Sequence, residues 1–471
     1  MKKYLALALG LLFTLGFAAS AFAIHAEIPA ETQAVVAKGT SQVTLGGELR
    51  FRGEYKHATD LKSAGTGTTI LDTANDNDAK YDGRVRIRIQ ADVSKNTMGV
   101  IHLETGSVTT DTYDWGTSGE SAGVYRGVGN GKKGTLDVLE AWILHKFNIG
   151  VPAGIKVGHM PLALGNKLFF NHSKFGDDAI VVFFDPTKEL HIGLLAVKLL
   201  EGTSSITDDA NAYVALLAYK GKGFNISADY TVVDDQRNHI TTNGVANGGT
   251  ALKAGDMGTH LNNLGLRADV TFGGLNIMGD AELQSGKTDY ENDALDVKHK
   301  GKAFVIGASY KAAPATIRAK YGMGSGDNDS ADKDNNVFVT AVPNTQNMTY
   351  VYDYRVKSAT GLTNTGIANT TFLNLGVTAG LTKDLNVMLD YYVLRATKAN
   401  SGSAINGSSS PETHTSKKIG SEIDAKITYK LDKNLVYFVE GGYLWTGAFY
   451  DTTTVQANDA YAVRHGITLS F

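Results

Sequence analysis

Residues 461–471 read YAVRHGITLSF, and the rest of the chain is best read outward from them. Tyr461, Val463, His465, Ile467, Leu469 and Phe471 alternate with Ala462, Arg464, Gly466, Thr468 and Ser470. A period of two predicts a β-strand with one apolar and one polar face. A last strand left unpaired would expose a row of N–H and C=O groups; pairing it with the first strand of the same sheet removes that edge. The expected architecture is therefore a closed barrel. His465 is the one departure from the apolar face.

The same alternation recurs at the other end. Val43, Leu45, Gly47, Leu49, Phe51, Gly53 and Tyr55 share one face; Glu48, Arg50, Arg52, Glu54 and Lys56 share the other. Val85, Ile87, Ile89, Ala91 and Val93 then oppose Arg84, Arg86, Arg88, Gln90 and Asp92. Ten later strands follow the scheme, their apolar faces starting at Phe224, Leu264, Leu275, Phe304, Ile317, Leu373, Leu385, Ile423, Leu435 and Tyr461. None of these apolar faces carries Asp, Glu, Lys or Arg, although such residues make up 20% of the chain. Charge on a lipid-facing wall costs about 2–4 kcal/mol at mid-membrane, whereas a wet bore tolerates it. A soluble sandwich would alternate too, so connection lengths carry the decision. Short turns at 94–96, 220–223, 273–274, 312–315, 382–384 and 432–434 alternate with long polar stretches at 57–80, 106–134, 235–258, 285–301, 324–370, 397–418 and 446–459. Tight periplasmic turns and long outer loops are the pattern of a transmembrane antiparallel up-and-down barrel. Counting by that parity predicts about 18 strands, with 16 as the alternative. The region 97–220 is poorly marked, and its strands are expected near 97–105, 135–147, 153–161, 178–186, 188–199 and 210–220.

Composition agrees. The 45 basic and 48 acidic residues leave a net charge of −3, which offers no field for nucleic acid. The absence of cysteine excludes disulfides, thiolate metal sites and covalently attached c-type haem. Lys2 and Lys3, the apolar run 4–18 and Ala21-Phe22-Ala23 predict a secretory signal over 1–23. Residues 24–40 are expected as a periplasmic lead-in without a sustained period, and 41–471 as the barrel. No segment reaches the ~20 apolar residues of a helical span. Outward aromatics near strand ends, among them Tyr55, Phe272, Tyr310, Tyr321, Tyr429, Trp445 and Phe471, suit interfacial girdles.

With these features in hand, the chain from residue 24 onward resembles a bacterial outer-membrane porin. The phrase IHAEIPAETQ is similar to porins of metal-reducing bacteria, and LGGELRFRGEY to the opening of alginate-export-type barrels. The C-terminal positions Tyr461, Val463, Ile467, Leu469 and Phe471 resemble the recognition strand of such barrels, which implies a contact with the barrel-assembly machinery. The resemblance also implies an outer-membrane location among lipid and lipopolysaccharide, a homotrimer in many relatives, and a third outer loop that folds inward.

The chemistry expected inside is that of a pore, not of bond making. Arg50, Arg52, Arg84, Arg86, Arg88 and Arg464 should share one wall, with Asp269, Asp280 and Glu282 on the far side. Such opposed charge would favour small anions beside the basic wall, unless Glu48, Glu54, Asp92 and Glu440 neutralise it. The third outer connection, read as Pro161 to Asp178, places Lys167, Phe169, Phe170, Lys174, Asp177 and Asp178 as an inward constriction. The acidic stretches Asp72–Asp82 and Asp327–Asp334 lack the spacing of a calcium loop, and the glycines of 127–134 and 322–326 lack a phosphate-loop context. No metalloprotease or nucleophile-elbow motif is present, so neither cofactor, metal nor enzymatic activity is expected. His102 with Glu104 is the nearest approach to a catalytic pair. The function expected is passive diffusion of small hydrophilic solutes with weak anion preference; the alternatives are a selective channel for anions or acidic oligosaccharides, and a surface barrel serving as adhesin or receptor.

Overall fold

The computed structural model describes residues 34–38, 41–59, 61, 77–106, 113–114, 135–202, 209–236, 256–290, 296–328, 332–342, 348–356, 366–399, 416–451 and 456–471. The expected signal segment and the lead-in up to residue 33 lie outside these, as do the glycines of 127–134.

Eighteen antiparallel strands close on themselves. They are β1 (Ser41–His57), β2 (Asn77–Ser94), β3 (Thr97–Gly106), β4 (Thr135–Asn148), β5 (Pro152–Ala163) and β6 (Asn171–Phe184). There follow β7 (Leu190–Leu200), β8 (Ala210–Gly221), β9 (Phe224–Asp235), β10 (Asp256–Phe272), β11 (Leu275–Tyr290) and β12 (Lys302–Ala312). The circuit ends with β13 (Ala315–Gly324), β14 (Thr370–Gly380), β15 (Leu385–Ala396), β16 (Lys418–Asp432), β17 (Leu435–Thr446) and β18 (Ala460–Ser470). Each strand pairs with its sequence neighbours, and β18 pairs with β1 from Glu48↔Ser470 to His57↔Tyr461.

The sheet is dry on the outside. Ile87, Leu194, Leu266, Ile306, Leu375 and Val463 are exposed, whereas Arg84, Glu104, Glu140, Asp229, Glu282 and Asp424 are buried. A water-soluble fold sorts these classes the other way. Rings gather at the rim of the short turns, where Phe147, Phe184, Tyr219, Tyr310 and Tyr429 are exposed and Phe272 reaches 83%. That rim is where a body that is apolar and a tip that is polar suit the membrane boundary.

Closure at the seam depends on glycine. The Phe471 ring lies over Gly47, where a Cβ would come within 2.6 Å of the ring, and the two residues exchange backbone bonds of 2.7 and 3.0 Å. His465 sits in a second notch: Gly53 leaves room for its imidazole and for the Tyr81 ring, which meets it edge-on at 6.0 Å. The departure from the apolar pattern is thus a packed ring, not an exposed one. Below Glu48, β1 runs past the end of β18. There Ala34–Lys38 pairs with Ser41–Leu45 and covers the edge, so the lead-in is partly strand where no period was expected.

One element keeps its expected place but not its alternation, and another starts early, for a common reason. In β4 the register shifts opposite His102/Leu103, so Leu136 and Val138 face out before the shift and Ala141 and Ile143 after it. Such a bulge breaks the period of two. In β6 the strand begins at Asn171, seven residues earlier than expected, with a register shift opposite Met160/Leu162. The third outer connection is therefore only 164–170.

On the outer side, the short strands Val297–His299 and Asp334–Asn335 pair in parallel. His299 is buried between them, its Nε2 3.0 Å from Thr288 Oγ1 and its Nδ1 3.5 Å from Asn335 Nδ2. Burial holds the imidazole down to about 4, well below its ordinary range. Once this packing opens, the ring binds a proton that the closed state refuses. The contribution is therefore complete above pH ~6.5 and is lost as pH falls toward 4, up to about 3 kcal/mol. The protection factors of the 297–299 amides, corrected for the intrinsic exchange rate at each pH, should fall over that window; in His299→Gln the acid step should vanish.

Candidate functional site: the lumen wall and its inserted loops

The six arginines do converge, since β18, β1 and β2 are adjacent. What they meet is a matching set of carboxylates. Arg52 Nε lies 2.7 Å from Asp82; Arg84 lies 2.5 Å from Glu48 through Nη2 and 3.5 Å from Glu104. Arg86 also bonds Glu104, and Arg88 stands 3.7 Å from Glu140. Arg464 donates from Nε to Glu440 at 2.8 Å and reaches Glu54 at 3.6 Å. Arg50 has both Nε and Nη2 buried without a hydrogen-bond partner, where Arg88 has Nε alone. Glu48, Glu54 and Glu440 were legible as counter-charges, but Asp82, Glu104 and Glu140 were not. Glu140 was hidden by the β4 bulge. It holds Trp142 Nε1 at 2.7 Å and stands 3.0 Å from His102 Nδ1, so His102 pairs with Glu140 rather than with Glu104.

Across the barrel, nine strands away, the charge is inverted. Arg267 on β10 is surrounded by Asp229 on β9 and by Asp280 and Glu282 on β11, the last two at 3.3 and 2.8 Å. Gly265 makes this possible. An added Cβ there would lie 2.6 Å from Arg267 Nη2 and 2.8 Å from both Asp229 and Glu282. Asn263 adds a bond of 2.6 Å to Glu282. Asp269 stands apart, bonded by Asn276 at 2.9 Å. One guanidinium facing three buried carboxylates leaves this wall acidic.

The loop 164–170 crosses to that wall. Gly165 lies on the Arg267 guanidinium, and the Asn166 N–H donates to Asp280 Oδ2 at 2.8 Å. Leu168, Phe169 and Phe170 are almost wholly buried. Lys167, at φ 68°, donates to Ser173 at 3.2 Å, and burial lowers its amine below the ordinary lysine range. Lys174, Asp177 and Asp178 are not in the loop. They belong to β6, where Asp177 is 2.7 Å from His172 Nδ1 and Asp178 is 73% exposed on the outward face it shares with Ile180. A strand start hidden in NHSKFGDD explains the difference: the polar run carries no apolar alternation until Ile180.

A second insertion had no sequence signal. The connection between β13 and β14 sends a strap, 337–342 and 348–356, across the bore. Gln284 clasps Val339 through bonds of 2.6 and 3.0 Å, and the Ala341 N–H donates to Phe169 O at 3.0 Å. Glu422 accepts the N–H groups of Val351 and Tyr352 at 2.6 and 2.8 Å, and Asp424 accepts that of Tyr350 at 3.0 Å. Arg355, in the helical turn Tyr352–Val356, then reaches Glu54 on β1 at 2.9 Å. Glu422 and Asp424 flank Ile423, which opens one of the apolar faces in the sequence, but nothing in the sequence marks the backbone they hold. Among the described residues no cluster of His, Asp and Glu is arranged to hold a metal ion.

A closed 18-strand barrel with an apolar exterior, charged interior and inserted loops defines a bacterial outer-membrane β-barrel of the porin type. The chain belongs to the alginate export family, whose model matches residues 41–464. Among solved structures it is similar to Pseudomonas aeruginosa OpdL, at 11% identity and a TM-score of 0.52, over 91% of this chain and 98% of that one. It is likewise similar to Pseudomonas aeruginosa OccK9 (OpdG), at 11% identity and TM-score 0.51 over the same shares. No curated protein matches the sequence.

Proposed function

We propose that the protein is a water-filled channel for passive diffusion of small hydrophilic solutes, narrowed by the loop 164–170 and weakly selective for anions. Supporting this reading above all is the loop's anchorage on Arg267 and Asp280, directly across from the arginine wall. A solute passing between the two walls meets donors on one side and acceptors on the other, a transverse field that orients dipolar molecules. Glu48, Arg50, Arg52, Glu54, Arg84, Arg86, Arg88, Asp269, Asp280, Glu282 and Arg464 line the path in this reading. Lys167, Phe169 and Phe170 form the narrowing. Paired arginines give modest selectivity, because each charge is largely cancelled by its neighbour; Arg50 is the exception. A selective channel for acidic oligosaccharides is the second reading, favoured by the family's alginate export description. Arg forks along β1 and β2 suit successive carboxylates.

Export through the signal segment, docking of Tyr461, Val463, Ile467, Leu469 and Phe471 on the assembly machinery, and a homotrimer among lipopolysaccharide complete the proposal. Planar-bilayer recording tests its centre. Under a KCl gradient the reversal potential should report mild anion preference, and Arg84→Ala/Arg86→Ala/Arg88→Ala should move it toward cations by exposing Glu104 and Glu140. An unmoved potential rejects the anion preference; absence of solute flux in liposome swelling rejects the channel.

A further inference from the structure

The strap carries a guanidinium into a place where donors outnumber acceptors. Arg355 is 5% exposed, and its Nη2 donates to Glu54 while its Nε has no hydrogen-bond partner. The group lies over the rings of Tyr350 and Tyr354 at 3.8 and 4.6 Å. Arg464 lies over the same two rings at 5.5 and 5.7 Å, and its Nη1 is 3.6 Å from the same Glu54 oxygen. The Tyr350 hydroxyl is also buried and unpartnered. Two planar forks thus converge on one carboxylate. Guanidinium forks match carboxylates in two-point fashion, and stacked rings hold the forks flat.

We infer that Glu54 occupies a carboxylate-binding site as a tethered stand-in, and that a solute carboxylate taking its place releases the strap. The inference rests on the anion-preferring channel proposed above and names its regulation. The asymmetry of the strap's attachments supports it. Toward β16 three neutral backbone N–H groups are held by Glu422 and Asp424, donors for which an entering carboxylate competes less strongly than for a guanidinium. Toward β1 the tie is Arg355–Glu54, which an anion does compete for. A carboxylate that pairs with Arg355 and leaves Glu54 to Arg464 favours the released state by the difference in its affinity for the two states. The strap then swings on its β16 side, and the passage between it and β1 widens. Neutral solutes of equal size lack the charge to displace Glu54.

A reporter that does not depend on conduction separates this inference from the channel reading. The chain has no cysteine, so Val356→Cys places a single thiol on the buried part of the strap next to Arg355. In the refolded barrel, a water-soluble maleimide should label it slowly in buffer or galactose and about tenfold faster in galacturonate at the same concentration. Glu54→Gln and Arg355→Met should label fast in either sugar. If Val356→Cys fails to refold, as judged by heat-dependent gel mobility, Tyr352→Cys serves in its place. Equal labelling in the two sugars overturns release by carboxylate. Slow labelling in both Glu54→Gln and Arg355→Met overturns the latch itself, whether or not the barrel conducts.

Discussion

Replacing Gly165 by valine should raise single-channel conductance at least about two-fold, because the loop can no longer lie against the far wall. An added Cβ would fall 1.2 Å from Arg267 Nε and 2.0 Å from its Cδ. Such a clash is usually relieved by moving the flexible side chain. Here that side chain is pinned by Asp229, Asp280 and Glu282, so the loop must lift instead. Lifting breaks the Asn166–Asp280 bond and uncovers Phe169 and Phe170, which then seek cover at the rim. The matched control is Gly279→Ala on β11, where an added Cβ meets nothing within 4 Å. Its conductance should equal the wild type. An unchanged conductance in Gly165→Val would show that the loop does not limit the passage. Deleting 166–175 is a poor substitute, since residues from Asn171 onward are barrel wall.

Arg267→Met should be the most destabilising single substitution of the lumen. It leaves three nearly inaccessible carboxylates without their common counter-charge. Removing one partner of a buried ion pair costs about 3–5 kcal/mol, chiefly because the remaining charge stays buried and uncompensated. Three carboxylates around one guanidinium place the loss at the upper end. Urea unfolding in lipid should show the drop as an earlier midpoint, and the heat-dependent gel shift should move to lower temperature. Combining it with Asp229→Asn and Glu282→Gln should recover much of the loss. If that triple variant is no better than Arg267→Met, charge compensation is not what Arg267 supplies.

Much of the barrel could be read in advance, for a definite reason. Strands such as β1, β2, β10 and β18 keep strict alternation, because each residue meets either lipid or lumen and the two solvents accept different side chains. Where extra residues enter the wall, the rule fails locally. Leu139 in β4 and the residues 173–176 of β6 opposite Pro161 scrambled the pattern, and with it went Glu140 and the true start of β6. The arginine wall was legible because closure makes β18 a neighbour of β1. Its carboxylate partners were half legible: Glu48, Glu54 and Glu440 lie on well-marked strands, whereas Glu104 and Glu140 come from the poorly marked region.

By itself the sequence determined the barrel, the side that faces lipid and the wall on which arginines gather, and it narrowed the strand number to 16 or 18. All of these follow from local alternation and connection length. Only the tertiary structure decided what fills the bore. Gly165 on Arg267, Phe169 against Ala341 and Arg355 on Glu54 join residues about one hundred to three hundred positions apart, with no period to announce them. A pattern of two reports which solvent a side chain faces; it carries no information about which distant backbone comes to replace that solvent.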